Sequence, residues 1–378
     1  MARKERTPEI LAHSVGSGLV RETAASVADG KVEKRSKTLD GRTSFCHFPS
    51  AMASDCREGN PQPPLESRWR RRHLLGLRGL EKEEILFLLD AADEVARCLE
   101  AGRELPSLRG LTAVNLFIEP STRTRVSFEL AAKRMGASVL EIDQESSSIR
   151  KGETLKDTAR NLEAMGADFL VLRHSAAGAA HFLADRVRSS VINAGDGAHE
   201  HPTQGLLDLL TIRRRLGRID GVRVAIVGDI LHSRVARSDI WGLRKLGAEV
   251  ALVGPRTLLP EVFSRFGVRL SCELDPILPW AQVLILLRIQ HERQREGMFP
   301  SLGEYASLYG LNDDRLRRCP PEVLLMHPGP VERGVEIESE LADGPSSVIL
   351  DQVSSGVAVR MAVFAQLARF HRRDGGAA

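Results

Sequence analysis

Apolar positions follow two alternating rhythms from residue 74 onwards. Apolar residues three or four positions apart predict helices at 81–99, 122–135, 155–165, 176–187 and 203–216. Short continuous apolar runs lie between these stretches and predict buried strands at 113–118, 138–142, 168–172 and 191–193. Alternation of strand and helix is typical of a parallel sheet that is covered by helices.

The same alternation restarts after residue 221 and predicts a second α/β half. Its strand candidates are 222–227, 249–253, 268–270, 283–287 and 323–326, and its clearest helix is 233–246. Apolar spacing over 353–370 predicts a final amphipathic helix that packs back onto the first half. We therefore expect an α/β protein of two doubly wound parallel-sheet domains linked by helices. The domains are predicted at 74–205, completed by a C-terminal helix at 352–372, and at 206–351.

Residues 1–73 lack a sustained helical or strand period and are rich in Ser, Thr, Gly, Pro and charged residues. This composition predicts a disordered extension outside the two domains. The extension carries 14 Lys and Arg against 9 Asp and Glu, and its acidic residues argue against a transit peptide. A start codon assigned too far upstream would look the same. We interpret the basic cluster at 68–72 as a solvated linker.

Composition narrows the function classes. The 378 residues leave room for about two domains, and the 42% hydrophobic and 27% charged content is ordinary for a globular protein. No apolar run has the length of a membrane helix, and the first residues lead into no apolar core of a secretory signal. Five cysteines without Cys-x-x-Cys spacing argue against a disulfide framework or a zinc site, so we expect a cytoplasmic protein. Outside the extension the net charge is −2, which argues against nucleic-acid binding.

The segment 119–125, Glu-Pro-Ser-Thr-Arg-Thr-Arg, follows a predicted strand and opens a predicted helix. Unpaired N–H groups and partial positive charge at a helix N-terminus suit a phosphate group. The alternative is an ordinary N-cap with a basic first turn. Arg123 counts against that alternative because a cation opposes the helix dipole.

A second segment, His199-Glu200-His201-Pro202, follows the strand at 191–193. The His-x-His spacing with no further clustered ligand is weak for zinc, so we expect no metal. Pro202 predicts a helix first turn and places His201 beside its N-cap. His201 is then either a donor to a polarised carbonyl or a structural loop histidine.

Three arginines follow three predicted strands: Arg173, Arg234 and Arg288. Guanidinium groups that converge at one sheet edge suit a small substrate with phosphate and carboxylate groups. The bend His-Pro-Gly-Pro at 327–330 would present backbone carbonyls at the same edge. The polar loop 146–154, on its own residues, is more typical of an exposed flexible loop.

Together these motifs resemble those of the aspartate/ornithine carbamoyltransferase family. The resemblance covers residues 74–372 and includes Ser-Thr-Arg-Thr-Arg at 121–125. Three further segments resemble the aspartate branch: Lys-Gly-Glu-Thr at 151–154, Gly-Asp-Gly at 195–197 and His-Pro-Thr-Gln at 201–204. Ornithine enzymes typically carry His-Cys-Leu-Pro where this chain has His-Pro-Gly-Pro. The segment Arg-Ile-Gln at 288–290 also fits the aspartate branch.

The resemblance implies transfer of a carbamoyl group from carbamoyl phosphate to L-aspartate, an early step of pyrimidine synthesis, with no cofactor. It implies that carbamoyl phosphate is bound by Ser121, Thr122, Arg123, Thr124, Ser147, Arg173, His201, Gln204, Pro328, Gly329 and Pro330. It implies that aspartate is bound by Lys151, Arg234, Arg288 and Gln290. The catalytic set would be Arg123, Thr124, Lys151, Arg173 and His201. One departure is Gly329, where some relatives have Leu, although only its backbone is implicated.

The family's active site lies between the subunits of a homotrimer, so Ser147 and Lys151 would come from a neighbouring chain. The resemblance leaves open whether regulatory chains or a dihydroorotase-like partner bind as well. Two other interpretations stay open: a carbamoyltransferase that uses another amine, and a catalytically silent relative that only binds carbamoyl phosphate.

Overall fold

Two parallel β-sheets flanked by helices make up the described part of the chain. The computed structural model describes residues 69–143, 152–290 and 301–371. The strands are β1 (Thr112–Phe117), β2 (Ser138–Asp143), β3 (Phe169–His174), β4 (Ser190–Asp196), β5 (Arg223–Val227), β6 (Glu249–Val253), β7 (Arg269–Ser271), β8 (Val283–Leu286) and β9 (Leu324–Met326). The predicted α/β class with two parallel sheets is confirmed.

Helices alternate with these strands. They are α1 (Lys82–Glu100), α2 (Thr122–Arg134), α3 (Leu155–Ala164), α4 (Ala179–Ala184), α5 (Pro202–Leu216), α6 (Arg234–Lys245), α7 (Leu302–Tyr309), α8 (Asp313–Leu316), α9 (Ser339–Ala342) and α10 (Ile349–Leu367). A 3₁₀ helix, Glu261–Phe266, precedes β7. Of the helices in the described segments, none combines the length and apolarity that a bilayer crossing requires.

The first sheet has the strand order β2-β1-β3-β4 and the second has β7-β6-β5-β8-β9, with every pair parallel. Because all strands in a sheet run the same way, their carboxyl ends meet at one edge. Phe117, at the end of β1, pairs in register with Arg173 near the end of β3. The polar residues that follow the strands are therefore gathered at the sheet edges.

Helices α5 and α10 connect the two halves. Helix α5 packs against α1, α6 and α10, and α10 also packs against α1 and α2. On α10, Phe364 meets the rings of Phe128 and Phe169 edge-on, at centroid distances of 6.0 and 5.2 Å. The last long helix thus lies on the first sheet's layer, although it follows the second sheet in the chain.

Some boundaries differ from the sequence prediction. Helix α4 is shorter than predicted at both ends, and its late start follows from Gly178, which takes a left-handed conformation (φ 83°) immediately before it. Helix α10 begins four residues before the predicted position 353. Helices α7, α8 and α9 were not predicted. Two of them have a side-chain N-cap that the sequence does show, Ser301 for α7 and Asn312 for α8.

The described part of the basic cluster, residues 69–72, differs from the predicted solvated linker. Trp69 is only 3% exposed, and Arg71 pairs with Glu84 at 2.7 Å. Leu74 bridges to the edge strand β4 through Leu74 N to Val191 O (2.9 Å) and Asn193 N to Leu74 O (2.9 Å). The packed part of the chain therefore includes residues 69–73. The predicted disorder of residues 1–68 lies outside the described residues.

Replacement of Phe364 by Ala should lower the free energy of unfolding by about 3–5 kcal/mol, because it leaves a cavity between α10 and the first sheet. Urea denaturation monitored by circular dichroism measures the change. Leu350→Ala is the matched control on the same helix, since Leu350 is 82% exposed. Equal losses in the two variants would contradict this account of the core.

Candidate active site

A cavity of about 850 Å³ lies at the carboxyl ends of the strands of both sheets. The predicted residues within the described part of the chain all line it: Ser121, Thr122, Arg123, Thr124, Arg173, His201, Gln204, Arg234, Arg288, Gln290, Pro328, Gly329 and Pro330. Ser147 and Lys151 lie outside the described residues, so their assignment stays a prediction. The described lining residues include five arginines and a single carboxylate, that of Glu119. This charge balance favours an anionic ligand.

The N-terminus of α2 opens into this cavity. Ser121 is its N-cap, and within the described structure the Ser121 side chain makes no capping hydrogen bond. The first turn contains no acidic residue. Its backbone N–H groups and the hydroxyls at 121, 122 and 124 are therefore available to an anion. Burial lowers the pKa of Arg123 from its ordinary value, but a guanidinium with such a high starting pKa stays charged at neutral pH.

Glu119 joins arginines from both halves of the protein. Arg173, at the end of β3, donates from Nη2 to Glu119 Oε1 at 2.9 Å. Arg234, at the start of α6, donates from Nη1 to Oε2 at 3.1 Å and from Nη2 to Oε1. Glu119 belongs to the motif at 119–125, but the sequence pattern alone indicates no role for it. The signal was available, because an acid directly after a buried strand needs a partner.

The end of β4 and the residue after it bring these two arginines together. Arg173 donates to the Ala194 carbonyl at 3.1 Å, and Arg234 donates to the Gly197 carbonyl at 3.2 Å. Gly195 has φ +114°, and a Cβ there would lie 2.9 Å from Arg234 Nε and 3.0 Å from Arg173 Nη1. Glycine is therefore needed at 195 for both its backbone conformation and the close approach of two guanidinium groups.

His201 lies at the start of α5, is buried, and faces the same cavity. Its backbone N–H donates to Ser238 Oγ at 2.9 Å, while its ring Nδ1 has no hydrogen-bond partner among the described residues. Burial, and then the positive charges of Arg173 and Arg234, hold the pKa of His201 well below its usual value. The ring is therefore neutral at pH 7 and has one N–H to donate.

The bend at 327–330 forms the opposite wall. His327 Nδ1 accepts from Gly329 N at 2.8 Å, and burial together with Arg123 and Arg288 lowers the pKa of His327 to about 3. Gly329 has φ +65°, and a Cβ there would collide with the guanidinium of Arg123. A side chain at 329 would thus displace Arg123, so this position affects the cavity through more than its backbone.

Two histidines and an aspartate form a cluster at the end of β4. Ligand-type atoms of His181, Asp196 and His199 lie within 4.8 Å of one another. The Asp196 carboxylate already accepts hydrogen bonds from the backbone N–H groups of Gly178 (2.7 Å) and Glu200 (3.1 Å), and from Asn193 Nδ2 at 2.8 Å. These bonds make Asp196 the anchor of the end of β4, which carries Gly195.

Two family models match the chain. One, described as "Aspartate/ornithine carbamoyltransferase, carbamoyl-P binding domain", matches residues 72–214. The other, described as "Aspartate/ornithine carbamoyltransferase, Asp/Orn binding domain", matches residues 220–367. The sequence-based domain limits at 205 and 351 stay a prediction.

The chain is similar to proteins that are named aspartate or ornithine carbamoyltransferase. The aspartate carbamoyltransferase catalytic subunit of Gemmatimonas aurantiaca is 56% identical over 296 residues, which cover 78% of this chain and 93% of that protein. That of Halothermothrix orenii is 54% identical over 300 residues, which cover 79% and 96%. A crystal structure of aspartate transcarbamoylase from Trypanosoma cruzi with carbamoyl phosphate and aspartate is 32% identical with a TM-score of 0.73, covering 80% of this chain and 98% of that one. Ornithine carbamoyltransferase from Pyrococcus furiosus is 30% identical with a TM-score of 0.69, covering 78% and 96%.

Histidine nitrogen NMR at pH 7 should show His201 as a neutral ring, because its pKa is lowered, and His199 with more of the charged form. The contact between His199 Nδ1 and the Asp196 carboxylate raises the pKa of His199. Spectra of His201→Gln and His199→Gln assign the two signals. A His201 ring that is charged at pH 7 would contradict the electrostatic description of the cavity.

Proposed function

The chain belongs to the aspartate/ornithine carbamoyltransferase family, and on that premise we propose that it transfers the carbamoyl group of carbamoyl phosphate to the amine of L-aspartate. The products are N-carbamoyl-L-aspartate and phosphate, which places the reaction early in pyrimidine synthesis. The observation that carries this choice of amine is the charge of the cavity. Aspartate brings two carboxylates to five arginines, whereas ornithine would bring an additional ammonium group into the same positive field.

In this proposal the phosphate group lies at the N-terminus of α2. Backbone N–H groups and the hydroxyls of Ser121, Thr122 and Thr124 donate to its oxygens, and Arg123 adds a planar pair of donors. Arg173 reaches the phosphate from the end of β3. Because the helix dipole is in place before the ligand arrives, and because Glu119 and the Ala194 carbonyl already hold the Arg173 guanidinium, little reorganisation is needed as charge develops on the leaving phosphate.

The aspartate amine attacks the carbonyl carbon, and electrons move onto the carbonyl oxygen. The carbonyl then re-forms as the bond from its carbon to the bridging oxygen breaks. Phosphate leaves with that electron pair and takes the proton that the attacking amine gives up. His201, Thr124 and Arg173 are the donors proposed for the carbonyl oxygen. Such a preorganised donor typically contributes about 2.7–4 kcal/mol to lowering the barrier. A neutral His201 suits this task, since it donates a hydrogen bond without adding further charge to a cavity with five arginines.

The other wall of the cavity orients the two substrates. Gln204 and the backbone carbonyls of Pro328 and Gly329 are the acceptors proposed for the carbamoyl NH₂ group, with Pro330 closing the bend. Arg234, Arg288 and Gln290 are proposed to bind the carboxylates of aspartate. Arg234 starts α6 and Arg288 follows β8, so the amino acid would enter from the second sheet.

We also propose a homotrimer whose sites are shared between neighbouring chains. Support comes from three exposed apolar side chains on neighbouring elements of the first half: Val126 (47% exposed) and Leu130 (37%) on α2, and Leu140 (52%) on β2. Clustered exposed apolar residues are typical of an interface. Ser147 and Lys151 follow β2 in the chain, and in this proposal they complete a neighbour's site.

Other expectations stay predictions: a cytoplasmic location, and binding of regulatory chains or of a dihydroorotase-like partner. The silent relative is disfavoured, because every predicted site residue in the described part of the chain lines one cavity.

The purified protein, given carbamoyl phosphate with aspartate, should form N-carbamoyl-L-aspartate and release phosphate in equal amounts. Colorimetric detection of the ureido product and of phosphate measures both. Product with ornithine in place of aspartate, or with neither amine, would overturn the proposal.

Arg288→Ala serves as the site variant in the same assay and should raise the KM for aspartate far more than that for carbamoyl phosphate. Arg256→Ala is its matched control, since Arg256 is an exposed arginine of the same half. Equal effects of the two substitutions would count against the assignment of Arg288.

Shared sites predict complementation between two inactive variants. Lys151→Ala and Arg123→Ala should each be nearly inactive, whereas mixed trimers should regain activity. In a two-to-one trimer, cyclic symmetry joins one intact Lys151 to one intact Arg123, which restores one site in three. The measurement is activity after the two variants are dissociated, mixed and reassembled, with each variant reassembled alone as control. Mixed trimers that are verified by mass and stay inactive would rule out the shared site.

A further inference from the structure

Two buried aspartates, Asp208 and Asp239, face each other behind the cavity. Asp208 lies on α5 and Asp239 on α6, and each is only 1% exposed. Their carboxyl groups are within hydrogen-bonding reach of each other. Nothing in the proposed reaction uses them, and two adjacent carboxyls are costly to bury without a reason.

Asp208 makes contacts that lead to both walls of the carbamoyl pocket. Gln204 donates from Nε2 to Asp208 at 3.1 Å (Oδ1) and 3.3 Å (Oδ2). Gln352, on α10, donates from Nε2 to Asp208 Oδ1 at 2.6 Å. The Oε1 of Gln352 in turn accepts from the backbone N–H of His327 at 2.9 Å. One carboxyl group therefore holds Gln204 directly and the bend at 327–330 through Gln352.

The geometry also determines how the pair is protonated. Neither oxygen of Asp239 has a hydrogen-bond donor among the described residues, and both are buried. Two carboxylates in contact repel each other, whereas a single proton between them makes a hydrogen bond. Burial raises the pKa of Asp208 to about 7, and burial together with Asp208 raises the pKa of Asp239 well above its ordinary value. The guanidinium of Arg360, on α10, is the nearby cation that favours a remaining negative charge on Asp208.

We propose that Asp208 and Asp239 share one proton, and that Asp208 is a positioning residue that sets which atoms of the pocket accept from the carbamoyl NH₂ group. Since Asp208 holds the Nε2 of Gln204, the Oε1 of that amide is left for the substrate. Since Gln352 holds the N–H of His327, the carbonyls that follow it in the bend keep their direction. This inference rests on the proposed function, because it assigns the acceptors for the carbamoyl end of that substrate.

The consequence is a selectivity between two ligands that share a phosphate group. Carbamoyl phosphate and inorganic phosphate both use the N-terminus of α2, but only the first has an NH₂ group to be recognised. Loss of the fixed acceptors should therefore weaken the binding of carbamoyl phosphate and leave the binding of inorganic phosphate nearly unchanged. A lost hydrogen bond to a neutral group corresponds to roughly two- to tenfold in affinity, and here up to three acceptors are disturbed.

The test measures the dissociation constants of carbamoyl phosphate and of inorganic phosphate by calorimetry on the full chain. Asp208→Ala should weaken carbamoyl phosphate about tenfold or more, with phosphate affinity changed less than about twofold. Asp208→Asn should keep the ratio of these two dissociation constants close to that of the unmodified protein, because Asn keeps an acceptor for both glutamines and offers a donor to Asp239. Asp239→Asn should also retain the ratio, since its amide donates to Asp208.

Asp168→Ala is the matched control: Asp168 accepts from Thr112 N at 2.8 Å in the first sheet and does not line the cavity. It should lower the stability of the fold without changing the ratio of the two dissociation constants.

If Asp208→Ala does not fold, Gln352→Met removes the link to His327 and should selectively weaken the binding of carbamoyl phosphate. An unchanged ratio in Asp208→Ala or Gln352→Met, or an Asn variant as impaired as Ala, would overturn the inference. Carbamoyl transfer by the unmodified protein is measured alongside, so that an inactive wild type counts against the proposed function instead.

Discussion

The carboxylate of Glu119, held between Arg173 and Arg234, is the interaction on which the geometry of the cavity depends. Arg173 follows a strand of the first sheet and Arg234 begins the first helix of the second half, so this one group ties the two halves at the cavity wall. Replacement of Glu119 would leave two guanidinium groups in this wall without the carboxylate that they share. A substrate with phosphate and carboxylate groups would offer the same guanidinium groups alternative acceptors. Binding of a substrate and the contact between the two halves therefore depend on the same two guanidinium groups.

Burial, together with the surrounding arginines, explains why both histidines of the cavity are neutral. Burial and then the positive neighbours lower the pKa of His201 and bring that of His327 to about 3, so neither ring adds charge near pH 7. The positive potential then comes from guanidinium groups, which stay charged over the whole physiological range. The arginines therefore supply the positive charge, and His201 donates a hydrogen bond without adding charge, so neither property changes with pH near neutrality.

The two sheets, each of the strands in the described residues and the location of the cavity could be predicted from the sequence, because apolar periodicity and polar residues after strands are local signals. Contacts between distant residues could not. Glu119 was visible in the motif at 119–125, but its partnership with Arg234 depends on how two sheets pack. Asp208 is an acid within an otherwise apolar stretch of α5, and its meaning emerges only when α6 and α10 bring Asp239 and Gln352 to it. The burial of Trp69 was missed for the same reason, since a tryptophan among arginines has no local pattern that distinguishes core from linker.

Recognition of the carbamoyl end needs acceptors, in a cavity where nearly every other polar group is a donor. Backbone N–H groups, hydroxyls, guanidinium groups and the His201 ring all suit oxygen atoms of the substrate. An amide such as that of Gln204 can present either a donor or an acceptor, and in a positive field the substrate alone does not decide which. A carboxyl group behind it settles the orientation by binding the NH₂ branch. Placing that carboxyl at the junction of α5, α6 and α10 ties recognition of the carbamoyl group to the same helix packing that joins the two sheets.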